Sequence, residues 1–244
     1  MSLEIESFMR LDKFLTQMQV GSRSEVKNMI KKGIVLVNGE VCQKADSKID
    51  ENTDRICVNG KEIIYQEYYY YIFHKPAGIV TATQDNHDKT VMDYFKNVPG
   101  KNMFPVGRLD KDTEGLLLVT NDGELAHNLL SPKKHVEKTY YVECTGVFRE
   151  DTLKRLEDGV DIGEDTLTLP AKAVLCKQDT QGYTILLTIT EGKFHQVKRM
   201  IHAVGGEVTY LKRISFGPLT LDDNLDKGCL RVLTPKEQKS LFNR

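Results

Sequence analysis

The sequence predicts an α+β protein in two parts: a small N-terminal module over residues 9–66 and a larger, mainly antiparallel-sheet domain over residues 67–244. Three observations carry this. Apolar residues recur at helical spacing up to Gly33, two Asn-Gly pairs then punctuate short apolar runs, and beyond Tyr70 strand-like runs dominate without regular strand-helix alternation.

The chain has 244 residues, 40% hydrophobic and 28% charged, enough for a large domain beside a small one. No apolar stretch approaches the roughly 20 residues of a membrane helix, and the N-terminus lacks the basic and apolar regions of a signal peptide. A cytoplasmic protein without a membrane partner is expected, with a monomer as the default. Cysteines at 42, 57, 144, 176 and 229 are odd in number and include no Cys-x-x-Cys pair, so they encode neither a disulfide framework nor a zinc cluster. The net charge of −1 hides two basic stripes. Met9–Gly33 holds six Lys or Arg against two acids, and Lys193–Arg213 five against one, a local +4 in each. Stripes of that kind suit an RNA surface, or simply two solvated helix faces.

Residues 1–8 carry no pattern, and Met9 is a candidate start. Leu11, Phe14, Leu15 and Met18 then fall at helical spacing. After Gly21, Ser22 and Glu25 form a capping-box pair that opens a second helix with Val26, Met29 and Ile30 on its buried stripe. Arg23, Lys27, Lys31 and Lys32 stay on its open side. Asn38-Gly39 and Asn59-Gly60 each join two apolar runs, the strongest short hairpin signal. A new strand, Tyr70–Phe73, ends at His74-Lys75-Pro76-Ala77-Gly78. Further strands are expected at 116–120, 139–144, 171–176, 183–189 and 208–211, with short helices at 90–95, 124–130 and 152–159. Thr234-Pro235-Lys236-Glu237 caps a last helix.

The stretch that concentrates chemistry is GRLDKDTEGLLLVTNDG, Gly107–Gly123, where a charged turn runs into the apolar Leu116-Leu117-Leu118-Val119. Charged groups at the lip of a core strand are open to partial desolvation. Asp110 has three readings: a surface ion pair, a calcium loop, or a catalytic carboxylate beside a cation. The calcium pattern fails at its twelfth place, which is Asn121 rather than Glu. A carboxylate pair with Asp112, as in a glycosidase or nuclease, would need both side chains on one face. A second constellation, EGKFHQVKRMIHAVGG (Glu191–Gly206), starts as a tight loop and becomes a helix closed by Gly205-Gly206. Val197, Met200, Ile201 and Val204 form its apolar stripe, while His195, Lys198, Arg199 and His202 share the other face. Two histidines two turns apart, with no carboxylate between them, suit an anion better than a metal.

The two basic-faced helices, the following hairpins and the opening string RLDKFL (Arg10–Leu15) resemble the S4 RNA-binding domain. GRLDKDTEGLLLVTNDG, the Lys138-Thr139-Tyr140 string, HKPAG (His74–Gly78) and EGKFHQVKRM resemble the pseudouridine synthases of the RsuA/RluA superfamily. The motif order is most similar to its RsuA group, which acts on small-subunit (16S) ribosomal RNA. The resemblance implies a catalytic Asp110, with Lys198 as its basic partner and Arg199 as the runner-up. It also implies Tyr140 against the target base, Val197 on the pocket floor, Arg108 helping to displace the base, and no cofactor or metal. His195, Arg10, Arg23, Lys27 and Lys31 are then expected to contact RNA. The implied partner is ribosomal RNA of the small subunit or its assembly intermediate. Large-subunit (23S) RNA and a non-catalytic RNA-binding assembly protein are the alternatives.

Overall fold

The computed structural model describes residues 8–243, so the reading of residues 1–7 lies outside it. The chain separates into two units, one of residues up to Tyr69 with Val98–Asn102, the other of Tyr70–Asn97 with the remainder from Met103.

The first unit contains β1 (Phe8–Arg10), α1 (Leu11–Gln17), α2 (Arg23–Lys31), β2 (Val35–Val37), β3 (Glu40–Val41), β4 (Lys48–Asp50), β5 (Ile56–Val58) and β6 (Lys61–Ile63). Leu11, Phe14 and Leu15 of α1 and Val26 and Ile30 of α2 are buried against Val35, Ile49 and Ile56. The Ser22–Glu25 capping box forms in both directions, the Ser22 N–H donating to the Glu25 carboxylate at 2.7 Å. At both hairpins the Asn and the Gly have positive φ (53° and 88°, 51° and 76°), the turn that suits the twist of two-residue hairpins. Phe8, which carries no pattern in the sequence, enters β1, which pairs antiparallel with β4, Met9 lying beside Ile49.

The second unit contains β7 (Tyr70–Lys75), β8 (Phe104–Pro105), β9 (Glu114–Thr120), α3 (Gly123–Leu130), β10 (Lys138–Gly146), α4 (Thr152–Asp158), β11 (Lys172–Gln178), β12 (Tyr183–Ile189), α5 (Gln196–Ala203), β13 (Gly206–Phe216), β14 (Leu219–Thr220), β15 (Leu230–Val232) and α6 (Pro235–Phe242). A nine-stranded sheet runs β11-β12-β10-β13-β9-β7-β15, with β14 beside β13 and β8 beside β9. Its ladders are antiparallel except the short β9–β13 contact, where Glu114 and Gly115 lie beside Lys212 and Arg213. The α+β class and the dominance of antiparallel pairing are therefore as the sequence predicts. Among the described residues no helix is long and apolar enough to cross a membrane.

Three elements depart from expectation. The short helix read at 90–95 forms as Val91–Phe95, but with the tighter 3-10 winding. Gly206 does not close α5 but opens β13, and Gly205 alone takes the left-handed turn (φ 91°). β13 runs eleven residues where four were expected, because Lys212 and Arg213 interrupt the apolar pattern. Arg213 is nevertheless 2% exposed, its guanidinium inside the sheet with one terminal nitrogen lacking a hydrogen-bond partner among the described residues. Gly115 explains why β9 and β13 can meet. Its φ is +110°, and a Cβ there would lie 2.2 Å from the Arg213 carbonyl oxygen.

Candidate active site

Asp110 sits in the loop that leads into β9, and that loop is fastened from beneath. Lys75, the last residue of β7, is fully buried. Its Nζ donates to the carbonyls of Thr113 (2.8 Å), Asp110 (3.0 Å), Pro76 (3.1 Å) and Lys111 (3.3 Å). Burial pushes the Lys75 ammonium down to about 8, while the charges of Asp112, Asp110 and Glu114 pull the other way. On the other flank Thr81 Oγ1 donates to the Leu109 carbonyl at 2.7 Å and accepts from the Leu109 N–H at 3.2 Å. Arg213 extends the support into the strand, its Nε donating to the Leu116 carbonyl at 2.8 Å. The main chain on both sides of Asp110 is thus tied to buried side chains.

The Asp110 carboxylate itself meets residues from α5 and the loop before it. Lys198 Nζ lies 3.5 Å from one oxygen, and His195 Nε2 lies 3.6 Å from the other. The shorter contacts of Lys198 go to Asp112, at 2.6 and 2.8 Å. One ammonium thus bridges two carboxylates, with Asp112 the nearer. The hydrogen bond from Lys198 holds the Asp112 carboxyl below the usual carboxylate range, against the effect of partial burial. Asp112 is largely exposed and Asp110 only about a quarter so, with side chains 72% and 28% accessible. A ligand closing over the site would separate Asp110 from water more completely than Asp112.

α5 is held at its start by a polar set missed in the sequence. Gln196 is buried, donates to Glu191 at 2.7 Å and accepts from the Lys193 N–H at 2.8 Å. Val197 is 4% exposed and belongs to the buried side of the helix. Arg199 does not reach the carboxylates. It binds Glu164 at 2.8 Å, the Phe194 carbonyl at 3.1 Å and the Ile162 carbonyl, so its role as runner-up partner of Asp110 is replaced by anchoring of the 162–164 loop. Tyr140, 8% exposed, stands in β10 between Leu187 of β12 and Arg213 of β13. Arg108 is exposed and makes no ion pair or hydrogen bond among the described residues.

In the first unit, Arg10, Asp12, Lys13, Arg23, Lys27 and Lys101 line a cleft of about 430 Å³. Arg10 is engaged by Asp12 through two hydrogen bonds of 2.8 and 3.0 Å, and among the described residues Lys13, Arg23, Lys27 and Lys101 make no ion pair within 4 Å. Lys31 is exposed but does not line this cleft.

A family model described as RNA pseudouridylate synthase matches residues 69–203, which include Asp110, Tyr140 and Lys198. The chain belongs to the RNA pseudouridylate synthase family. An S4 domain model matches residues 9–54 in front of it. The ribosomal large subunit pseudouridine synthase B of Bacillus subtilis (strain 168) is 43% identical over 95% of this chain and 95% of its own length. The ribosomal small subunit pseudouridine synthase A of Vibrio cholerae serotype O1 (strain El Tor Inaba N16961) is 38% identical over 96% of this chain and 100% of its own. A crystal structure of a pseudouridylate synthase superposes with a TM-score of 0.65 at 34% identity, covering 96% and 99% of the two chains.

In this synthase the residues that sequence reading passed over are the supporting ones. Lys75 lies inside the HKPAG string but carries no signal of burial, since a lysine at a strand end is normally exposed. Lys138 Nζ donates to the Val136 carbonyl at 2.7 Å, and burial pushes its ammonium down to about 8. Arg213 lies 5.2 Å from the ring of Phe216. Three largely buried cations in one sheet have no counterpart in a hydrophobicity pattern.

Proposed function

We propose that this protein converts a uridine of ribosomal RNA to pseudouridine, with Asp110 as the reacting carboxylate. The observation that carries the reading is the environment of Asp110: a main chain held by Lys75 and Thr81, and a carboxylate with Lys198 at 3.5 Å and His195 at 3.6 Å. In the reaction the glycosidic bond from ribose to uracil N1 breaks, the ring turns, and a carbon–carbon bond forms through C5. C5 gives up its proton and N1 regains one, so the change is an isomerisation without net redox or hydrolysis, and it needs no cofactor. Asp110 must be ionised to attack the ribose or to hold charge there, and Lys198 keeps it so as RNA excludes water. Tyr140 packs against the uracil and assists loss of the C5 proton, with Val197 as the apolar floor. Arg108, exposed and unpaired, enters the space the base leaves. Extracting a base costs a few kcal/mol. Phosphate contacts from Arg23, Lys27 and Lys101 in the S4 unit offset that cost.

The order of motifs favours the small-subunit RNA. The large-subunit reading is favoured by the higher identity to the synthase B relative, 43% against 38%. Mapping pseudouridine in RNA of both subunits after incubation with wild-type protein and Asp110→Asn tests both. A new site that disappears with Asp110→Asn supports the reading, and its location decides the subunit. Equal modification by the mutant, or RNA binding without modification, would sink it.

A further inference from the structure

The most exposed large hydrophobic side chain described in the catalytic unit is Phe194, at 72%. It stands in the loop that delivers His195 to Asp110. One ring face is already covered, because the His195 imidazole lies on it at a centroid distance of 3.8 Å and an interplanar angle of 18°. The Phe194 ring makes no other aromatic contact among the described residues. His195 in turn lies 3.6 Å from Asp110, so the exposed ring is two contacts from the carboxylate.

The loop that carries it is not slack. His195 takes the left-handed conformation (φ 47°, ψ 34°), which L-residues adopt rarely. The Phe194 carbonyl accepts from Arg199 at 3.1 Å, and the Gln196 N–H donates to the Lys193 carbonyl at 3.2 Å. A fixed backbone therefore presents an apolar ring to water at the mouth of the site, where burial within the protein gains nothing. A rigid aromatic held that way loses little freedom when it takes a partner.

We propose that Phe194 is a stacking residue for RNA: its open face receives an unpaired nucleobase beside the target uridine when that uridine leaves its stack. This rests on the uridine-isomerising reading above. Removing a base from a stack exposes the face of its neighbour, and an aromatic ring replaces the lost partner without regard to base identity. The ring carries no charge, so it contributes stacking rather than neutralisation of the RNA strand. The imidazole behind it links the seated neighbour to the position of Asp110.

The test uses the full chain and an RNA fragment spanning the mapped uridine, labelled with tritium at uracil C5. Tritium is released when C5 is joined to the ribose, so counts follow turnover. Phe194→Ala should lower kcat/KM roughly 5- to 150-fold, the loss expected for one base–aromatic stack. Most of the loss should lie in KM, the melting temperature should be unchanged, and Phe194→Trp should restore activity. A fragment with an abasic residue on one side of the uridine should cost the wild type a similar factor and cost Phe194→Ala nothing further. Wild-type kinetics for Phe194→Ala, or full additivity of the two losses, would overturn the assignment while leaving the isomerase standing. No tritium release by the wild type would overturn the isomerase reading, and this assignment with it.

Discussion

Replacing Lys75 with Met tests whether the catalytic loop is held from below. Methionine fills the same volume but removes every donor, leaving the carbonyls of Pro76, Asp110, Lys111 and Thr113 without the ammonium that binds them. An ammonium has three N–H groups. At about 1.5–3 kcal/mol for each charge-assisted bond, their loss amounts to about 5–9 kcal/mol. Against this stands relief from burying the charge, since the fall from 10.5 to about 8 corresponds to about 3 kcal/mol. The net destabilisation is then about 2–6 kcal/mol, which for a chain of this size lowers the melting temperature by about 4–24 °C. Turnover should fall further than stability implies, because an error of ~1 Å in the position of a reacting group costs about 100-fold. Calorimetry and single-turnover tritium release on the same preparation separate the two effects. The pH dependence has a definite sign. The folded protein sheds the Lys75 proton near pH 8, before the unfolded chain does at its ordinary 10.5. Within that window the unfolded state holds more protons, so Lys75 makes stability rise with pH, and Lys75→Met loses that rise. A Lys75→Met protein with wild-type melting temperature and wild-type turnover would refute the reasoning.

Lys198→Met should behave in the opposite way. The pair it forms with Asp112 is open to water, so stability should change by no more than about 1 kcal/mol, while turnover should fall about 100-fold or more as Asp110 loses its closest cation; urea melts and initial rates check the two halves. Gly115→Ala should cost about 3 kcal/mol or prevent folding, because the new Cβ meets the Arg213 backbone at a positive φ, and the urea midpoint reads it. Lys101→Ala should weaken binding of an RNA fragment and lower the slope of log affinity against log salt by about 1, as filter binding at several ionic strengths would show.

Much of the local structure was legible because its causes lie within a few residues. Ser22 with Glu25 and Thr234 with Glu237 form capping boxes in the structure, and both Asn-Gly pairs take the two positive φ values of a tight hairpin. The buried stripe of α5, Val197, Met200, Ile201 and Val204, is the one its spacing predicts. The tyrosine run shows the limit of such reading. Tyr69, Tyr70 and Tyr71 are core residues, and Tyr70 donates at 2.8 Å to Asp122, 52 residues away, a partner that no local pattern points to.

The sequence alone determined the α+β class, the helix caps, the hairpin turns and the motifs that resemble a family. Each depends on hydrogen bonds or periodicity over a handful of neighbouring residues. Only the tertiary structure decided what lies around Asp110. Lys75 is 35 residues from Asp110 in the chain, Lys198 is 86 from Asp112, and Arg213 is 97 from Leu116. Whether a lysine or arginine ends in water or among carbonyls depends on which strands cover it. Here the parallel contact of β9 with β13, permitted by Gly115, puts Arg213 inside the sheet, while the fully buried end of β7 holds Lys75 beneath the loop.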